Sequence, residues 1–115
     1  MLKDETCPVG TALSIIGGKW RLQIIFQIGN EKRRFGELKR LIPAISEKML
    51  IQELKNLTGA GILIRKAYNE IPPKVEYSLT KEGQKILPII DQIKAFGTEL
   101  MEKSNASKTN LGISQ

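Results

Sequence analysis

The chain has 115 residues, of which 41% are hydrophobic and 26% charged, which suits one compact domain with a real core. Lys and Arg number 18 against 12 Asp and Glu, a net charge of +6, and there is no histidine and a single cysteine. A chain without histidine lacks the commonest general base and metal ligand, and one cysteine builds neither an internal disulfide framework nor a thiolate zinc site, so no metal or cofactor is expected and the enzyme classes recede.

The charge is concentrated. From Arg33 to Lys74 nine cations face four anions, a balance of +5, while the remainder carries +1. A basic centre between near-neutral ends suits a polyanion-binding face, although a solvated surface has the same composition. Residues 1–5 hold no apolar signal-peptide core, and no run approaches the roughly 18 apolar residues of a membrane span. A cytoplasmic protein without membrane contact is expected.

Taken in order, Cys7-Pro8 reads as a helix start, with proline at the first helical position and Cys7 as N-cap. Val9, Leu13 and Ile16 form an apolar stripe, ended by Gly17-Gly18. A second helix is expected over 20–28, with Ile24, Ile25 and Ile28 facing a core and Gly29-Asn30 as its stop. Gly17-Gly18-Lys19 resembles the end of a phosphate loop, but Trp20 replaces the needed Ser or Thr and Leu13 the earlier glycine. A helix-helix turn is the simpler reading, and Trp20 reads as packing rather than as a stacking platform.

A short helix is expected over Phe35–Leu41, with Phe35, Leu38 and Leu41 on one face. Pro43 breaks it. Ser46 is a good N-cap and Glu47 suits the positive end of the dipole, so the next helix spans 47–58. Leu50, Leu54 and Leu57 make its buried stripe, and Lys48, Gln52 and Lys55 repeat that spacing on another face. Gly59 and Gly61 close it.

The period then changes to two. Residues 62–67 and 75–79 read as strands of a hairpin, joined by a polar loop stiffened by Pro72-Pro73. Thr80 caps a final helical region over 81–103, where Pro88 predicts a kink or two helices in sequence. Residues 104–115 read as a frayed polar tail.

A short helix, a break and a capped helix followed by a hairpin make a winged helix-turn-helix. The fold class is mainly α with a small β-hairpin and extra terminal helices. The second helix of such a motif enters the major groove, where its N-terminal side chains meet base edges. The DNA-facing set is then Ser46, Lys48, Gln52 and Lys55, with Arg33, Arg34 and Lys74 as candidate phosphate contacts. Gln pairs with adenine, and Lys reaches guanine or phosphate. For each of these the alternative is a polar side chain that is merely wet.

The residues also resemble a known family. Cys7-Pro8-Val9, Ile15-Ile16-Gly17-Gly18-Lys19-Trp20, Arg34-Phe35-Gly36-Glu37-Leu38, Leu41 to Leu50, Ile71-Pro72-Pro73-Lys74-Val75-Glu76-Tyr77-Ser78-Leu79-Thr80 and Gly83 together resemble the HxlR-type winged-helix regulators, relatives of the MarR group. The resemblance covers about 7–103. It implies a homodimer on double-stranded promoter DNA, with dimer contacts from the terminal helices at 7–19 and 81–103. It also implies that Cys7 is a candidate thiol sensor, since several members sense oxidants with a cysteine there while many others do not. A thiol at a helix N-terminus lies where the dipole favours the thiolate. The competing readings are a capping residue at Cys7 and, for the whole chain, a protein-protein adaptor, a non-specific nucleic-acid binder or a small redox enzyme.

Overall fold

The structure is a computed structural model and describes residues 7–110. Helix α1 (Pro8–Ile16) opens as expected: Cys7 is the N-cap, its Sγ accepting the Gly10 N–H at 3.3 Å, and Pro8 comes directly after it. Gly17 ends the helix with its N–H on the Leu13 carbonyl (2.8 Å), an approach so close that a Cβ at position 17 would collide with that oxygen. Of the α1 stripe only Ile16 is buried, and Val9 and Leu13 stand exposed.

Helix α2 (Arg21–Ile28) supplies the centre of the core through Ile24, Ile25 and Ile28, all without solvent exposure. Each such aliphatic side chain contributes about 1.5–3 kcal/mol of burial. Trp20 is half-buried and packs against this cluster, with the Lys19 ammonium 4.8 Å from its ring centroid.

Helix α3 (Phe35–Leu41) buries Leu38 and packs Phe35 on the core. Leu41, expected inside, is exposed, and Ile42 is buried in its place. The chain leaves helical angles at Ile42 (φ −127°, ψ 72°), which turns that side chain inward after the helix has ended. Helix α4 (Glu47–Gly59) buries Leu50, Leu54 and Leu57 as its spacing predicts.

Strands β1 (Leu63–Tyr68) and β2 (Lys74–Leu79) form an antiparallel hairpin, with Leu63 opposite Leu79, Arg65 opposite Tyr77 and Tyr68 opposite Lys74. Thr80 ties the hairpin to the short helix α5 (Lys81–Gln84). Its hydroxyl donates to the Gly61 carbonyl (2.7 Å) and accepts the Gly83 N–H (3.0 Å), which caps α5.

Helix α6 (Leu87–Asn110) starts anew with Pro88 in its first turn, where a missing N–H costs nothing. The final region is therefore two helices in sequence rather than one kinked helix. It also outruns its expected end at Lys103: residues 104–110 contain neither Gly nor Pro, and the helix continues through them. Residues 1–6 and 111–115 lie outside the described residues. One core cluster serves the whole fold, closed by Ile86 and Ile90 at the α5–α6 junction.

Candidate nucleic-acid interface

Helices α3 and α4 meet at a turn held from within. Ile42 and Ile45 are buried, the Ile45 N–H bonds the Ile42 carbonyl (3.2 Å), and Lys39 Nζ donates to the Pro43 carbonyl (3.1 Å). Ser46 then caps α4, its Oγ accepting the Met49 N–H at 3.0 Å. Burial of the leucine stripe fixes the rotation of α4. Lys48, Gln52 and Lys55 consequently lie exposed along one line of its outer surface.

A polar chain that sequence reading missed holds this helix to the domain. Arg21 Nη1 donates to the Ile15 carbonyl and its Nε to Glu53 Oε1, both at 2.8 Å, and the ion pair is largely shielded, with 21% and 14% of the two side chains exposed. Glu53 Oε1 also accepts from Asn56 Nδ2 (3.4 Å), and Asn56 Oδ1 accepts from Gln52 Nε2 (3.2 Å). The Gln52 amide is thereby steered along the helix, with its oxygen and second N–H left over for another partner. Nothing in the separation of positions 21 and 53 announces this pairing.

The other candidate cations divide. Arg33 is half-buried and anchored by one of its donors: its Nε donates to the Gln27 carbonyl (2.9 Å), and its backbone makes two hydrogen bonds with Tyr77 (2.9 and 2.8 Å), a one-residue extension of the hairpin sheet. Arg34 next to it is exposed, its backbone N–H capped by Glu37 Oε1 (2.8 Å), and it shares a shallow depression with Arg40. Lys74 lies at the far end of the hairpin. Its Nζ sits 3.5 Å from Glu76 Oε2 and 4.7 Å from the Tyr68 ring centroid, and Lys66 approaches the same ring at 5.0 Å. The Tyr68 hydroxyl donates to Glu76 Oε1 (2.9 Å). That bond, opposed in part by desolvation and helped by Lys74, holds the Glu76 carboxyl below its ordinary range, and the same bond raises Tyr68.

An acidic ligand cluster for a metal ion is not found among the described residues. The arrangement is instead a polar, partly cationic helix face flanked by a hairpin, the geometry of a duplex-binding winged helix.

Comparison with known proteins agrees with this geometry. A family model described as HxlR-like helix-turn-helix matches residues 15–105. The helix-turn-helix-type transcriptional regulator YkvN of Bacillus subtilis is 40% identical over 91% of this chain and 89% of its own. A crystal structure from Porphyromonas gingivalis W83, of a transcriptional regulator assigned to the MarR family, is 58% identical, covers 86% of this chain and 97% of its own, and superposes with a TM-score of 0.80. The redox regulator HypR in its oxidised form is 42% identical over 81% of this chain and 96% of its own, with a TM-score of 0.78. The chain belongs to the HxlR-like helix-turn-helix family of DNA-binding transcriptional regulators, with a winged-helix fold.

Proposed function

We propose that the protein works in the cytoplasm as a homodimer that recognises a specific operator, with α4 in the major groove. The observation that carries this reading is the exposed line of Lys48 and Gln52 opposite the buried leucines, with the Gln52 amide already oriented by Asn56. Lys48 and Gln52 read base edges. Ser46 sets the N-terminus of the reading helix, while Lys55 and Arg34 serve the backbone. The dimer forms through α1 and α6. Ile89, Ile93, Phe96 and Leu100 are all about half exposed or more in the protomer and follow a four-three-four spacing, the seam of a helix pair.

The test is fluorescence anisotropy on DNA from upstream of the protein's own gene, with a scrambled duplex as control. A preference of about 10³-fold or more for the native fragment is expected of an operator. Lys48→Ala and Gln52→Ala should each weaken specific binding by about 1–3 kcal/mol. Equal binding to both duplexes would instead mean a non-specific nucleic-acid binder, and binding to neither an adaptor.

A second layer of function concerns Cys7. It caps α1 through Sγ, is partly accessible, and sits on a helix assigned to the dimer. The similar protein HypR is described as a redox regulator and has been solved in oxidised and reduced forms. On this reading oxidation of Cys7 alters operator affinity, through a disulfide to the partner subunit or to a small thiol. Peroxide treatment should then change the anisotropy of the wild type but not of Cys7→Ser. An identical response of the two would remove Cys7 from regulation.

A further inference from the structure

The hairpin has two faces of different character. Strand alternation puts Lys66, Tyr68, Lys74 and Glu76 on the face away from α4, where cations, ring and carboxylate satisfy one another. The other face carries Leu63 and Leu79 into the core, then Arg65 and Tyr77 one step further out. Between this inner face and the C-terminal half of α4 lies an open cleft of about 570 Å³. Its apolar floor is Ile51 and Leu54, Gly59 lines it without a side chain, and its cations are Lys55 from the helix and Arg65 from β1.

Both cations are exposed, and among the described residues neither has an ion pair or side-chain hydrogen bond, in contrast to Lys74. Lys55 stands where two lines of α4 meet, the outer line through Lys48 and Gln52 and the cleft line through Ile51 and Thr58. An anion seated there lies beside the edge of the base-reading surface. A low-polarity floor beneath two unpaired cations strengthens their attraction for it. Arg65 further offers a planar fork of donors that matches phosphate oxygens.

We propose that the cleft between α4 and β1 is a phosphodiester site, in which Lys55 and Arg65 grip one backbone phosphate of the bound duplex and Arg65, not Lys74, is the main phosphate contact of the wing. This rests on the DNA-binding reading above. The occupant is DNA because the cleft continues the exposed face of the reading helix.

The experiment measures affinity for the upstream and scrambled duplexes across a salt series. Arg65→Ala and Lys55→Ala should each weaken both duplexes alike and lower the slope of log affinity against log salt by about one. Lys74→Ala should leave the slope unchanged. Gly59→Glu adds an anion where a Cβ meets no atom within 4 Å, so it fits the fold while repelling phosphate, and should weaken both duplexes. Circular dichroism and melting of each variant establish that the fold is intact. An unchanged slope in Arg65→Ala, a loss confined to the upstream duplex, or tolerance of Gly59→Glu would overturn the site while wild-type binding still upheld the broader reading. A wild type that binds neither duplex would overturn both.

Discussion

A Cβ added at Gly83 would run into the Ile62 carbonyl and press on the Leu79 and Ile62 side chains at 3.2 and 3.3 Å. The backbone of α5 lies that close to the start of the hairpin, with Thr80 bridging the two. Gly83→Ala should therefore destabilise the domain by about 1–3 kcal/mol, read from the denaturation midpoint, as overpacking does. Glu76 offers a second test at this scale. Its folded carboxyl titrates below the ordinary value because Tyr68 and Lys74 stabilise the charged form. Its contribution is thus present above the unfolded value, near 4.5, and lost as pH falls through the lower folded value. Melting temperatures of the wild type and Glu76→Gln should differ at neutral pH and converge on acidification; a constant gap would show that Glu76 acts only by packing. Individual residues are unevenly legible in the sequence. Ser46, Thr80 and Cys7 announce their capping roles through local spacing, and the structure puts all three there. The anchoring of Arg33 is not legible in the sequence, because the Gln27 carbonyl and the Tyr77 backbone become its neighbours only on folding.

At the scale of elements, α6 makes the clearest demand. Beyond Ile90 its residues to Ala106 are exposed but for half-buried Gly97, although Ile93, Phe96, Leu100 and Met101 are apolar. A surface helix with such a stripe wants a partner. Phe96→Asp places a charge on the proposed seam without touching the core. Light scattering should show its mass fall from two chains to one, and an unchanged dimer mass would put the interface elsewhere. The order of elements is legible in the sequence because hydrophobic period changes from 3.6 to 2 and back, with Gly, Pro and capping residues at each border. The two departures from expectation lie where local signals are weak. Leu41 and Ile42 are equally apolar, and only the angle at which the chain leaves α3 selects one for the core. The extension of α6 past Lys103 runs through polar residues that favour a tail by composition yet contain no helix breaker.

The whole molecule has a radius of gyration of 17.5 Å and a longest extent of 59 Å, where a compact domain of this length has about 13 Å. The excess belongs to a chain whose last helix projects from a small core. If α6 is completed by a second copy, stability is shared between subunits, and the melting temperature should rise with protein concentration. A melting temperature independent of concentration would mean that each protomer folds without help. The Arg33–Tyr77 bridge has a consequence at this scale too. It joins the segment leading into the helix-turn-helix to the wing through two backbone hydrogen bonds, while the guanidinium ties the same segment to α2 at the Gln27 carbonyl. If α4 reads the duplex as proposed, helix and wing reach it as one preorganised body whose mutual angle is already set. Little conformational entropy is left to lose on docking. On that reading the encounter is governed by the long-range pull of +6 per chain on a polyanion rather than by a slow ordering step, and binding speed, more than binding geometry, should respond to ionic strength.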